Sequence, residues 1–501
     1  MKKITIEPIT RLEGHGKIEI FLNGEGEVEN AYLQIPELRG FEKFCEGRPV
    51  EELPRITPRI CGVCPGAHHI ASTKAVDALY HVDPPSAAKK VRELFYCAHM
   101  IHSHMAHFYA LAAPDFVLGP KSDPSQRNIL GLIAKVGLEV GGEVIKHRAY
   151  AQDIQAVIGG KATHPVCGLP GGISKPITIE EQGDFLDKAK SLVEFAQFSL
   201  KLFDDMVLAE KEYLELITGD VYTTKSYYMG MVDSDNKVNF YEGDIRVVDP
   251  DGKEFARFKP ADYLDYIAEH TESWTYLKFP FLKQVGWKGL VDGKESGVYR
   301  VNSLARLNVA DGMATPLAQA EYEKMFDALG GKPVHATLAF HWARLIEMLY
   351  AAERLLELCQ DEETISQEVR IIPEATPDEG VGVVEAPRGT LIHHYQTDEQ
   401  GITQKVNLIV ATGHNYPAMN MSIKKAAQGL IKKGEVVSEG LLNMVEMAFR
   451  AYDPCMACAT HSLPGQMPLE VVIHDSHGSI VDRLSRNLSI SPLKIKIIKV
   501  S

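Results

Sequence analysis

The sequence predicts an α+β fold, mainly α, in which a central bundle of long helices carries small β-sheets at its N terminus and in an insertion. Long stretches of helical apolar spacing predict the bundle, above all Ala67 to about Ala113 and Ser125 to about Ile158, interrupted by proline only around Pro84, Pro85 and Pro114. Alternation of apolar and polar residues near the start predicts the first sheet. A change of character between about Tyr222 and Tyr299, towards aromatics, Asp-Gly and Asp-Asn dipeptides, predicts the inserted one.

In chain order, KITIEPI, GKIEIFL and EVENAYLQI alternate around Gly-Glu-Gly and read as strands joined by a turn. The two helical stretches follow, and Thr178 to about Thr218 continues in their style. Within the insertion, IRVVD and EFARF are strand-like. Helices resume at Leu317 to Leu329 and Thr337 to Cys359, and strands at Gly380 to Glu385, Gly389 to Gln396 and Lys405 to Val410. A last helix spans Ser438 to Tyr452. No repeat, heptad run or low-complexity tract interrupts this order.

The 501 residues leave room for two to four domains or for one large subunit. With 53 basic and 67 acidic residues the formal charge is −14, which argues against a nucleic-acid surface. No apolar run reaches the roughly 18 to 20 residues that span a bilayer. The start MKKITIEPITRLEGHG lacks the apolar centre of a secretion signal. A soluble, cytoplasmic protein is the expectation.

Four of the eight cysteines form two Cys-x-x-Cys pairs near opposite ends of the chain, Cys61/Cys64 in RICGVCPGAH and Cys455/Cys458 in DPCMACATH. If the pairs converge, four thiolates suit a soft transition metal such as zinc, iron or nickel, and spacing alone does not choose among them. Each pair is followed by a histidine, His68 or His461, and Asp453-Pro454 precedes the second. A plain zinc clamp needs none of these. The scattered Cys45, Cys97, Cys167 and Cys359 read as ordinary thiols.

Six segments occur in an order that resembles the large, catalytic subunit of nickel-iron hydrogenases: EPITRLEGHG (Glu7 to Gly16), RGFE (Arg39 to Glu42), RICGVCPGAH, HSHMAHFY (His102 to Tyr109), APRG (Ala386 to Gly389) and DPCMACATH. The resemblance spans nearly the whole chain and implies that family's large-subunit fold. It implies that residues 1–461 form one domain carrying the insertion at about 222–299. It also implies a nickel held by four thiolates, Cys61 and Cys455 terminal, with Cys64 and Cys458 bridging to an iron that carries carbonyl and cyanide ligands. The reaction implied is heterolytic cleavage of dihydrogen, the proton passing to a nearby base.

By motif position, Glu13 is the first proton carrier against a terminal thiolate, where the residue alone would read as a solvated glutamate in a turn. Arg388 of APRG points a guanidinium at the metals, the alternative being a surface salt bridge. Asp453 lies close to that arginine, or else merely starts an Asp-Pro turn. His68, one helical turn after Cys64, is expected to hydrogen-bond a bridging sulfur, or to be a core histidine satisfied by backbone. Glu42, His461 and a backbone carbonyl near Leu408 match a separate site for magnesium or iron. His99, His102, His104 and His107 crowd one helix at spacings that spread them around it, so structural roles are expected. Ser103 stands where some relatives carry an acidic residue.

Residues 462–501 correspond to an extension that the family's maturation endopeptidase removes after nickel is loaded, cutting between His461 and Ser462. A permanent hairpin in LEVVIHDSHGSIVDRL is the alternative. No cysteine group remains for an iron-sulfur cluster, so such clusters are expected only in partners, first a small iron-sulfur subunit. Acceptors in the family's cytoplasmic branch include a deazaflavin, nicotinamide nucleotides, or heterodisulfide reductase through an added electron-transfer subunit, and the style is closest to its methyl-viologen-reducing, deazaflavin-non-reducing type of methanogens. Two other readings stay open, a dihydrogen sensor, which typically lacks such a tail, and a zinc-binding structural scaffold; a metal-free quinone-site scaffold of respiratory complexes lacks the cysteine pairs that are intact here.

Overall fold

The computed structural model of the chain describes residues 2–7, 9–35, 40–275, 277–434, 436–459, 470–474 and 480–485. The side chains of Lys2, Cys458, Ala459 and the last two segments are outside that set. Arg39, the Cys458 thiol, His461 and the His461–Ser462 bond therefore lie outside the described residues.

The bundle is built around helix Phe340–Gln360, in which every residue from Phe340 to Glu353 is buried. It packs between helices Ile179–Phe203 and Ser86–Ala106, and the latter lies against Leu138–Gly159. Helix Ile179–Phe203 begins with a full capping box, Thr178 accepting from the Glu181 N–H while Glu181 accepts from the Thr178 N–H.

Two expected helices are divided, each for a local reason. Ala67 to Ala113 becomes Pro65–Leu79 and Ser86–Ala106, because Pro84-Pro85 cannot continue a helix. Ser125 to Ile158 becomes Ile129–Val136 and Leu138–Gly159, parted at Gly137, whose φ is 96°. Beyond Ala106 the chain widens into a π-helical turn, His107–Ala112, in which the Leu111 carbonyl accepts from Arg11 Nη1 at 2.7 Å. Two helices that the periodicity does not announce, Ser303–Val309 and Tyr416–Leu430, complete the bundle.

The N-terminal sheet is antiparallel in the order Lys2–Ile6, Lys17–Leu22, Val28–Gln34, and helix Tyr416–Leu430 covers it. The insertion forms a mixed sheet in the order Tyr299–Arg300, Tyr227–Val232, Asp244–Val248, Glu254–Phe258, beside the hairpin Ile267–Thr271/Lys278–Leu282. It is more than an appendage. Met229, Met231 and Val247 share a second core with Val383, Ile392 and Ile409 of the later antiparallel sheet Glu379–Ala386, Gly389–Thr397, Thr403–Ile409. In that sheet Ala386 pairs with Gly389, so Pro387 and Arg388 are the two residues of a tight hairpin tip.

Among the described residues of the tail, Glu470–His474 pairs antiparallel with Ile480–Ser485. No helix of the described residues is long and apolar enough to cross a membrane.

Candidate metal centre

The first cysteine pair sits where a 3₁₀ turn, Thr57–Ile60, hands the chain to helix Pro65–Leu79. Cys61 leaves the turn extended, and its sulfur receives the N–H groups of Val63 and Cys64, each at 3.2 Å. Cys64 is the N-cap of the helix, where aligned backbone dipoles favour a negative sulfur. Proline at the first helical position serves this start, since its missing N–H would have had no partner there.

The chain's other end closes on this pair. Cys455 Sγ lies 3.1 Å from Cys61 Sγ, and the sulfurs of Cys61, Cys64 and Cys455 are all within 4.8 Å of one another and buried. Among the described residues this is the one cluster of three or more His, Cys, Asp or Glu side chains with metal-ligand geometry. Three convergent sulfurs in a buried pocket fit a soft, thiolate-bound ion.

Glu13 clasps the second pair to the N terminus. Its backbone pairs with Cys455 in a parallel bridge, its carbonyl accepts from Met456 N–H at 3.0 Å, and its Oε2 accepts from the Cys455 thiol and the Ala457 N–H, both at 3.0 Å. The next residue must be glycine. Gly14 has φ 82°, and a Cβ there would stand 2.7 Å from Met456 Cβ. Thr412 Oγ1 accepts from the Cys455 N–H at 3.2 Å.

Arg388 enters from the hairpin tip. Its Nη2 donates to Asp453 Oδ1 at 3.0 Å, and its Nη1 reaches Ser103 Oγ at 3.4 Å. Burial works against its charge, but Asp453 and the sulfurs of Cys455, Cys64 and Cys61 hold its pKa above the ordinary guanidinium value. Asp453 shifts upwards, burial outweighing the attraction of Arg388 and Arg344. Arg388 Nε and Asp453 Oδ2 are buried with no hydrogen-bond partner among the described residues. A pocket that keeps a donor and an acceptor in reserve beside three sulfurs is suited to a polar group held on a metal.

The backbone around Asp453 is fixed from behind. Asp453 itself has φ 53°. Arg344 Nη2 donates to Ala451 O at 3.2 Å and to Asn302 Oδ1 at 3.1 Å, and Asn302 Nδ2 donates to Tyr452 O at 2.6 Å. Arg306 does the same for the hairpin. It pairs with Glu347 at 2.6 Å and Glu385 at 2.8 Å, and donates to Ala386 O at 2.9 Å, just before Pro387. A third buried cluster, in which Asp115 takes Arg450 at 2.7 Å and also Arg11, ties the segment before Glu13 to helix Glu439–Arg450.

His68 is buried on helix Pro65–Leu79, with Nδ1 3.1 Å from His393 Nε2. Glu42 Oε1 accepts from Leu408 N–H at 2.8 Å, so these two are neighbours. The helix histidines separate as their spacing predicts: His99 faces Gln155, His102 accepts from Arg148, His104 meets Glu347 and His107 meets the Arg450 carbonyl. Burial depresses all four, His99 and His104 to about 4 and His102 to about 3. Cys45, Cys97, Cys167 and Cys359 are buried thiols raised by that burial, the first and last to about 12. Thr412, Arg306, Arg344, Asn302, His393 and Tyr395 went unread in the sequence. Only the His-His-Tyr run after APRG, in a strand of known direction, offered a signal.

Comparison with known proteins agrees with this geometry. The family profile described as "Nickel-dependent hydrogenase" matches residues 39–122 and 293–461, and one described as "HoxL-like" matches residues 3–38. The chain is 52% identical over 481 residues to a component of the F420-non-reducing hydrogenase of Archaeoglobus profundus, covering 96% of this chain and 99% of that one. It is 48% identical to a component of the vhu F420-non-reducing hydrogenase of Methanocaldococcus jannaschii, covering 86% of this chain and all of that one. A crystal structure of an NAD+-reducing [NiFe]-hydrogenase in the H2-reduced state superposes with a TM-score of 0.86 at 37% identity, over 92% of this chain and 100% of that chain. With a relative more than half identical along almost its whole length, and sulfurs converging where the profile ends, the chain belongs to the nickel-dependent hydrogenase family, oxidoreductases that act on dihydrogen with nickel and iron at the active site.

Proposed function

We propose that this chain is the catalytic subunit of a deazaflavin-non-reducing nickel-iron hydrogenase, and that the buried sulfurs of Cys61, Cys64 and Cys455, with the Cys458 thiol, hold its metals. The observation that carries this reading is the meeting of those three sulfurs with the Glu13 carboxylate and the Arg388 guanidinium in one pocket. When bound, nickel and an iron with carbonyl and cyanide ligands supply the electrophilic and redox chemistry that splits dihydrogen.

The chain's own groups do the rest. Glu13 Oε2, one hydrogen bond from the Cys455 sulfur, takes the proton that this sulfur carries and starts it outward. Arg388, held by Asp453 on one side, presents its remaining N–H groups to negative charge developing in the pocket. Because the guanidinium is buried and fixed, it needs no reorganisation to do so. His68, one helical turn after Cys64, would orient the sulfur of that ligand by hydrogen bonding. Glu42 and the backbone at Leu408, joined by His461, hold a magnesium or iron ion that ties the C-terminal motif to RGFE.

The 462–501 extension is removed after metal loading. In support, the family profile ends at residue 461, and the solved NAD+-reducing enzyme corresponds to 92% of this chain while being covered completely. Electrons pass to the iron-sulfur clusters of a small partner protein, and onward through a further electron-transfer partner towards heterodisulfide reductase, in the cytoplasm. The names of the archaeal relatives, F420-non-reducing hydrogenases, support the deazaflavin-non-reducing type.

Infrared spectroscopy of the purified complex is the test. Carbonyl and cyanide bands, with nickel and iron in the metal analysis and a large subunit whose mass ends at His461, are expected. Zinc without those bands would overturn the reading, and Cys64→Ser should abolish metal incorporation.

A further inference from the structure

Helix Leu138–Gly159 has an apolar character on two opposite faces, one buried and one exposed. The inner face, with His147, Ala151, Ile154 and Ile158, is buried against helix Ser86–Ala106. On the outer face Leu138, Gly142, Ile145, Ala149, Gln152 and Ala156 follow one another at alternate steps of four and three residues. That spacing keeps them in one stripe along nearly the whole helix, as in a seam that packs against another helix. Leu138 is 83% exposed and Ile145 68%. The preceding helix, Ile129–Val136, widens the surface, with Leu130 and Ile129 exposed and Ile133 lying against Gly141. A helix that is apolar all round is ordinarily buried all round, and large aliphatic side chains gathered on one exposed surface mark a contact with another protein.

The flanking charges decide what kind of helix fits. One flank of the stripe carries Glu139, Lys146 and Asp153, each seven residues from the next. Antiparallel pairing with a second copy of this helix would seat Leu138 on Ala156 and Ile145 on Ala149. It would also set Lys146 against Lys146 and bring Glu139 close to Asp153, like charges facing like. Parallel self-pairing would stack Gly142 on Gly142 and Ala149 on Ala149 between layers of Leu138 and Ile145, leaving gaps at every second layer. A helix of another sequence can meet the shape and the charges together.

Resting on the reading of this chain as one subunit of a hydrogenase complex, we propose that the outer face of helix Leu138–Gly159 is the docking surface for a helix of a different subunit. The partner helix carries large aliphatic side chains opposite Gly142 and Ala149 and small ones opposite Leu138 and Ile145. An acidic residue stands beside Lys146, and basic residues stand beside Glu139 and Asp153. Lys146 lies 3.2 Å from Glu143 of its own helix, an exposed pair that a partner's carboxylate can replace at little cost. None of these residues belongs to the metal pocket, so the contact is separable from metal loading.

The test uses the purified complex. An added Cβ at Gly142 would meet nothing within 4 Å among the described residues, so Gly142→Leu suits this chain's own helix while filling the hollow that the partner needs. It is expected to weaken binding of one other subunit about tenfold or more, at unchanged nickel and iron per chain, and Ile145→Glu is expected to do the same. Ala149→Cys, labelled with a thiol-reactive benzophenone and irradiated, should join to a peptide of that subunit bearing an apolar repeat of three and four residues, which mass spectrometry identifies. Wild-type subunit composition in both the Gly142→Leu and Ile145→Glu complexes would overturn the proposal. So would a photoproduct with a second copy of this chain or with its own residues 462–501, or none between subunits. Wild-type chain that purifies with no other subunit would instead sink the reading on which the proposal rests.

Discussion

Arg306 and Arg388 are both fully enclosed guanidinium groups, yet they are provided for in opposite ways. Arg306 meets two carboxylates, Glu347 and Glu385, and two backbone carbonyls, and its pKa rises because these outweigh the penalty of burial. Arg388 has one carboxylate oxygen, a long contact to Ser103 and a buried Nε without a partner among the described residues. A saturated arginine is a strut, because every donor is spent on holding protein to protein. An undersupplied arginine beside three sulfurs keeps donors for chemistry. The two are connected, since Arg306 grips the carbonyl of Ala386 and so aims the two-residue tip that carries Arg388.

Substitutions can break this contrast. The largest effect is expected at the strut: Arg306→Met strands Glu347 and Glu385 as buried charges and should cost about 3–5 kcal/mol of stability, read as a loss of folded complex and a lower denaturation midpoint. Arg388→Lys should behave in the reverse sense. Turnover of dihydrogen is expected to fall about 10²–10³-fold, with the denaturation midpoint close to wild type. A stable Arg306→Met protein, or an Arg388→Lys protein that unfolds, would erase the distinction.

Acid should find the strut next. His104 meets Glu347 within the Arg306 cluster and titrates at about 4 rather than 6.5, burial outweighing the Glu347 contact. Its folded pKa is depressed, so the unfolded chain binds more protons. The stability it contributes is complete above about pH 6.5 and is lost as pH falls towards 4, by up to about 3 kcal/mol. Denaturation midpoints compared between pH 7 and pH 5 measure this, and His104→Gln should flatten part of the slope. The smallest change is expected from Ser103→Ala. A 3.4 Å contact is a weak hydrogen bond, so its loss should cost less than about 1 kcal/mol and lower turnover only a few-fold.

The same contrast explains what could be read in advance. Glu13, Cys61, Cys64, Arg388 and Asp453 stand in short segments whose residue types carry chemistry by themselves, and the fold brings them to one pocket. Arg306, Arg344 and Asn302 carry none. Their importance comes from contacts to carbonyls between 80 and 150 residues away, which no local window contains. Helix Ser303–Val309, at seven residues, is too short to establish a period. Tyr416–Leu430 opens with Asn-Tyr-Pro, which reads as a turn although proline near the first helical position is well tolerated. The π-helical turn at His107–Ala112 likewise has no sequence signature, because the Arg11 side chain that meets its carbonyl comes from 100 residues earlier.

The clasp of Glu13 on Cys455 joins residues 442 positions apart. In polymer terms, closing a flexible loop of that length costs on the order of 5 kcal/mol in chain entropy. The three hydrogen bonds of the clasp, at about 1 kcal/mol net each, fall short of such a cost unaided. The bundle must therefore stand first and bring the termini within reach, so that the cost has been met before the clasp forms. A nascent or nicked chain that lacks the finished bundle has no means of bringing its two cysteine pairs together. The chain's own entropy makes completeness of the fold a condition for acquiring the metal.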